Sequence, residues 1–309
     1  MLLSLQPRGE ASRAMLWFSP LLAALLTLLS GALLFALLGH PPLETLKVLL
    51  VDPLGDLYGV SELLVKALPI LLCALGLAVV YNARIWNIGA EGQLYAGALA
   101  AVAVGTGVIS APPYLLIPMV IVAGALAGGL VMLGPTLLKT RLGVDEVVTT
   151  LLLNFIILLF VQMMLEGPMK DPMGMGWPQS EPILDESALP KLMDRMRIHW
   201  GLVIALVSSL GVYFLLKRTV WGFEIRAVGE NAAAARHAGI PVTATFIRVG
   251  LLSGALAGLA GVGEVAGLKG YLTADLSPGF GYSGIVVAML AGLSPAGVVL
   301  AALFIASIF

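Results

Sequence analysis

Apolar runs of about twenty residues recur along the chain, each closed by a short polar break. That is the length a helix needs to cross the hydrocarbon core of a bilayer. The alternating segments of about ten residues that mark a membrane β-barrel are not visible. The pattern predicts an all-α, polytopic membrane protein with about eight spans, near residues 15–38, 62–81, 88–109, 114–138, 146–166, 200–216, 246–268 and 282–305. Broken or re-entrant helices fit the same pattern, because irregular backbone survives at membrane depth where it lines a cavity.

Composition agrees. The chain has 309 residues, 59% hydrophobic and 11% charged, with a mean hydropathy of +1.00. A soluble domain carries about 25% charged residues, so too little polar surface is left to cover a globule in water. A net charge of −1 points to no polyanion, so nucleic acid is not an expected partner. The single cysteine, Cys73, excludes a disulfide framework. The first apolar run is too long for the core of a signal peptide and reads as a retained helix. With the N-terminus inside, counting from Arg8 and Arg13, ten of the seventeen Lys and Arg fall on cytoplasmic segments. This predicts a single membrane domain over residues 1–309, an extracytoplasmic loop at 166–199 and a cytoplasmic loop at 217–245.

Several polar residues interrupt the apolar pattern. NARIWNIGAEGQLYAG, residues 82–97, places Asn87, Glu91 and Gln93 between two apolar runs. One reading is local: Asn87 or Gly89 caps the next helix, whose dipole favours Glu91 by about 0.3–1 kcal/mol. The other is a polar cavity, because an ionisable group at membrane depth costs several kcal/mol and faces a partner or a path. Asp145 and Glu146 read as the polar start of a helix, and Asn154 lies two turns further in. Glu264 has Lys269 five residues on, which suggests a simple structural pairing. The methionines of the 166–199 loop and its approach suit flexible packing better than copper.

GENAAAARHAGIP, residues 229–241, has the punctuation of a short helix, with Glu230 at its positive end, Gly239 past its last turn and Pro241 blocking continuation. The motif GALAG occurs at 124–128 and again at 254–258. Either an inverted internal repeat or small-residue helix packing accounts for it. No phosphate-binding GxxxxGK[ST] is present, nor HExxH, GxSxG or CxxC, so neither ATP hydrolysis nor hydrolase chemistry is expected of this chain.

Five stretches together resemble the permease subunits of bacterial ABC importers for nucleosides and simple sugars, a group that includes ribose and branched-chain amino acid permeases. They are NIGAEGQLYAGALAA, GVDEVVTTLLLN, RTVWGFEIRAVGENAAAARHAGI, SGALAGLAGVGEVAG and SPGFGYSGIVVAMLAGLSPAG, in the family's order. The resemblance implies a multi-pass permease of the bacterial cell membrane that is not an enzyme and holds no cofactor. ATP would be bound by partner cassette subunits. A second permease, same or homologous, and an extracytoplasmic solute-binding protein would complete the machine. It also implies roles: Asn87, Glu91, Gln93 and Asn154 on the substrate pathway, and Arg226, Gly229, Glu230, Asn231, Ala235 and Gly239 in coupling to the ATPase. The family pattern has ten helices, whereas this sequence stops within an apolar run, so the expectation is a truncated chain or a partner-covered end. A proton-coupled secondary transporter using Glu91 is the alternative, and an intramembrane enzyme a remote third.

Overall fold

A computed structural model describes residues 13–109 and 111–309. Arg8, used in the orientation argument, lies outside the described residues. Among those residues there is no β-strand, only isolated bridges in and around 170–199. The chain divides into two compact units, Met1–Gly59 and Val60–Phe309.

The first unit contains α1 (Arg13–Leu37) and α2 (Pro42–Leu50). Pro42 starts α2 where a missing N–H costs nothing, and Gly39 turns the chain ahead of it at φ +79°.

The second unit carries α3 (Leu57–Asn82, entering it at Val60), α4 (Ala90–Gly105), α5 (Pro113–Leu142), α6 (Glu146–Glu166), α7 (Gly201–Arg218), α8 (Val220–Glu230), α9 (Ala232–His237) and α10 (Val242–Val262). A π-helical turn, Gly263–Lys269, extends α10, and α11 (Phe280–Leu290) and α12 (Pro295–Ala306) follow. Among the described residues, five helices are long and apolar enough to cross a bilayer: α3, α5, α6, α7 and Val242–Lys269.

These spans differ in where their apolar faces go. α3 is apolar all round, and residues 67–81 are buried without a gap, as befits a helix at the centre of a bundle. The α6 helix is equally apolar, but Leu152, Phe155, Ile156, Leu159 and Met163 are exposed, so it presents a face to lipid.

The expected span at 282–305 is a correction. It is two helices of 11 and 12 residues, α11 and α12, broken at 291–294 by Gly292 and by Leu293 at φ +60°. At 1.5 Å per residue each is about 17 Å long, roughly half the hydrocarbon thickness. Hydropathy is blind to this break, because the intervening residues are themselves small or apolar.

The two GALAG motifs pack on each other. A β-carbon on Gly128 would strike the Gly254 carbonyl oxygen, and one on Gly258 would strike that of Gly124. Gly97 of α4 abuts Gly258 in the same way. Close backbone approach through small residues is how helices associate in lipid, so α4, α5 and α10 form a tight three-helix seam.

Segment 166–199 is folded onto the end of this seam. Ile183 donates its backbone N–H to Gly270, Leu184 to Gly105 and Leu189 to Ala266. The Ser187 hydroxyl reaches the Gly105 carbonyl at 3.1 Å.

Candidate solute path and coupling element

α3 ends at Asn82, and Arg84 at φ +59° turns the chain out of the helix. An unwound segment follows until α4 begins at Ala90. Buried backbone without helical partners must find other ones, and α6 supplies them. Glu146, Thr150 and Asn154, four residues apart, lie on one helix face. Glu146 Oε1 accepts from the Trp86 N–H at 3.1 Å, and Thr150 Oγ1 from Ile88 at 3.0 Å. Asn154 Oδ1 accepts from Gly92 at 2.8 Å, while its Nδ2 donates to the Ile88 carbonyl at 2.8 Å and to the Tyr282 hydroxyl at 3.2 Å. Lys139 holds Glu146 from α5 in an ion pair at 2.5 Å. As expected, Asp145 caps α6, accepting from Val147 at 2.8 Å.

Asn87 and Gln93 complete the arrangement from within. Asn87 Nδ2 donates to Gln93 Oε1 at 3.0 Å and to Ser253 Oγ at 3.1 Å. Its Oδ1 accepts from Gln93 Nε2 at 3.0 Å and from Gly89 at 2.8 Å. All four hydrogen-bonding positions of this amide are thus occupied. The amide orientations follow from the network. The Tyr81 hydroxyl donates to the Asn87 carbonyl at 2.8 Å.

Glu91 differs. It is 3% exposed and lies in the first turn of α4, but its carboxylate points to another helix. Oε2 accepts from the Gly281 N–H at 2.7 Å, in the first turn of α11. A carboxylate there meets both a free donor and the positive end of the helix dipole. Glycine is required at 281, since a β-carbon would come within 2.7 Å of the Glu91 Cα.

The four expected pathway residues are therefore buried and close together around one unwound segment. Glu146 and Thr150 belong to the same clamp. Their spacing with Asn154 is the signal that would have found them.

Residues 217–245 form two helices rather than a loop with one. Glu230 closes α8 instead of opening the next helix, which is a correction. Asn231 is the cap of α9, accepting from Ala233 and Ala234 at 3.0 Å. An amide one residue on supplies a better-placed acceptor than the glutamate. Arg226 Nη1 donates to the Leu216 carbonyl and ties α8 to the end of α7. Ala235 packs with Val228 and Val242 in a small cluster of its own. Gly239, at φ +82°, ends α9, and Glu230, Arg236 and His237 are exposed. Gly229 touches the main bundle: a β-carbon there would strike the Asn82 carbonyl oxygen, at the end of α3. Asn82 Nδ2 in turn donates to the Leu293 carbonyl at 3.3 Å, in the break between α11 and α12.

At the opposite end, Glu264 lies in the π-helical turn and is 5% exposed. The expected pairing with Lys269 does not form: among the described residues no cation lies within ion-pair distance of Glu264.

Residues 59–309 match the family described as the branched-chain amino acid transport system / permease component. The chain belongs to this family. The permease is 34% identical to a glucose ABC transporter permease protein of Haloferax volcanii, over 99% of this chain and 83% of the relative. It is 35% identical to a guanosine ABC transporter permease protein of Bacillus subtilis, over 92% and 82%. A nucleoside ABC transporter permease protein of Lactococcus lactis is 32% identical over 92% and 80%. No solved structure matches. The family is one of transporter permeases rather than enzymes, and the permease is a multi-pass membrane protein.

Proposed function

We propose that this permease conducts a nucleoside or simple sugar inward across the cell membrane, with its N-terminus cytoplasmic. ATP hydrolysis on cassette subunits that grip α8 and α9 drives it. A second permease, same or homologous, completes the path, and an extracytoplasmic solute-binding protein feeds it. The cargo reading is supported by the glucose, guanosine and nucleoside permeases at 32–35% identity.

The observation that carries the reading is the contact of Gly229 with Asn82. α8 and α9 expose a charged and alanine-rich surface, α8 is seated on the end of α7 through Gly222, and at Gly229 it meets the backbone of the residue that ends α3. From Asn82, movement passes to the unwound segment ahead of Glu91 and to the break at Leu293. Discontinuous helices meeting at membrane depth are where transporters place their solute sites. In this mechanism Asn87, Gln93 and Asn154 position the unwound segment, and Glu91 couples α4 to α11. Release of the Glu91–Gly281 contact would free a carboxylate and a backbone N–H for the hydroxyl groups of a neutral solute. A proton-coupled carrier using Glu91 would leave α8 and α9 without a role.

The test is uptake of labelled guanosine, uridine, ribose and glucose by cells carrying this permease and its partner subunits, with and without a protonophore and with ATP depleted. Uptake of at least one of these solutes that follows ATP and survives the protonophore is the expected result. Uptake that follows the proton gradient and ignores ATP would overturn the reading.

A further inference from the structure

A cavity of about 240 Å³ opens where α3, the π-helical turn and the start of α11 meet, beside the fold of residues 166–199. Its charged lining is Glu62, Lys66, Arg197, Glu264, Lys269 and Asp275. Lys66, Arg197 and Asp275 are exposed at its rim, and Glu264 is buried within it. Arg197 Nη1 binds Glu62 Oε2 at 2.9 Å, but Glu62 Oε1 is buried with no hydrogen-bond partner. Among the described residues no hydrogen bond reaches the Glu264 carboxyl group either. Buried polar groups in native proteins are nearly always hydrogen-bonded, and an exception calls for something that fills the place. Glu62 Oε1 is such an exception, and the buried Glu264 lines the same cavity from a π-helical turn, a distortion frequent at functional sites.

We propose that this cavity holds the sugar ring of the solute. The inference rests on the reading that the permease carries a sugar-bearing solute, and it adds a site distinct from the Glu91 region. Three acidic side chains line it beside three cationic ones. It offers acceptors and donors side by side, which suits hydroxyl groups that both donate and accept. Phe280 and Pro278 supply the apolar wall that the C–H face of a ring needs. The volume has room for a sugar ring.

Cys73 is the chain's only cysteine and is buried, so Leu268→Cys places a single accessible thiol on the cavity wall. The complete transporter carrying this change, in membrane vesicles, is labelled with a maleimide in the presence of ribose, guanosine or guanine, and labelling is read on this chain. Ribose and guanosine at ten times their Kd should each slow labelling roughly tenfold, and guanine should leave it unchanged. Adding Glu264→Gln should weaken the protection, and Glu264→Leu should abolish it. If Glu264→Leu fails to assemble, the Gln variant alone decides. Labelling that no compound slows, slowing by guanine as strong as by guanosine, or full protection in the Glu264 variants would overturn the proposal. Wild-type guanosine uptake driven by ATP without any protection would remove this site and leave the transport reading intact. Absence of ATP-driven uptake would remove that reading instead.

Discussion

Two buried polar regions of this permease use their hydrogen bonds in opposite ways. Around the unwound segment, Asn87 engages all four of its positions and Asn154 three, on backbone and on one another. In the cavity at the other end, among the described residues no hydrogen bond reaches Glu264 and Glu62 has only its pairing with Arg197. Both regions break the apolar pattern, and residue type alone does not distinguish them. Polar burial spent on the chain's own backbone is architecture. Burial left unspent is capacity for something else.

The sharpest way to break this comparison is Asn154→Leu. It strands the Gly92 N–H and the Ile88 carbonyl, each at about 1–3 kcal/mol, so a loss of about 2–6 kcal/mol is expected. The thermal midpoint of the detergent-purified protein reads it, and an unchanged midpoint would sink the clamp as a structural device.

His199 lies against the π-helical turn that carries Glu264. Its ring is buried against Gly267, and Nδ1 accepts from the Gly201 N–H at 3.1 Å. Burial pushes its pKa down to about 4. Between the unfolded value near 6.5 and that folded value, the unfolded chain takes up a proton that the folded one refuses. Stability is therefore full above about pH 6.5 and falls as pH drops towards 4, by up to about 3 kcal/mol. Comparing midpoints at pH 7 and pH 4.5 should show the loss in the wild type and a smaller one in His199→Asn. Equal losses would assign the acid sensitivity elsewhere.

Gly229→Val tests the link from α8 to α3. Uptake should fall by more than tenfold, about 1.4 kcal/mol or more in coupling, while the cassette subunits still co-purify. Normal uptake would show that the Asn82 contact transmits nothing.

Glu264→Gln should have the smallest effect and the opposite sign to Asn154→Leu. Removing a buried carboxylate that accepts no hydrogen bond should leave stability unchanged or raise it by about 1 kcal/mol. A large loss of thermal midpoint would place Glu264 with the architecture after all.

Much of this fold was legible in the sequence, because span length and hydropathy follow directly from bilayer thickness. The GALAG pair was legible as small-residue packing, and its two copies do meet. The α11–α12 break was not, since Leu293 at φ +60° looks like any other leucine in an apolar run. The residues expected on the pathway were legible as a polar group, but their partners were not. Asn87 finds Ser253 and Glu91 finds Gly281, and no local pattern announces contacts that far apart. The ladder from Glu146 to Asn154 was readable from its spacing, but Glu146 looked like an ordinary helix start. The cap at Asn231 was misjudged because Glu230 also suits a helix N-terminus.

Those separations bear on biosynthesis. Ser253 follows Asn87 by 166 residues, and Gly281 follows Glu91 by 190. At about 5–20 residues per second, the ribosome reaches Gly281 roughly 10–40 s after it has made Glu91. For that interval the nascent chain holds a carboxylate whose partner does not yet exist. The contacts that close the segment from α3 to α4 on Ser253 and Gly281 form only once α10 and α11 have been made.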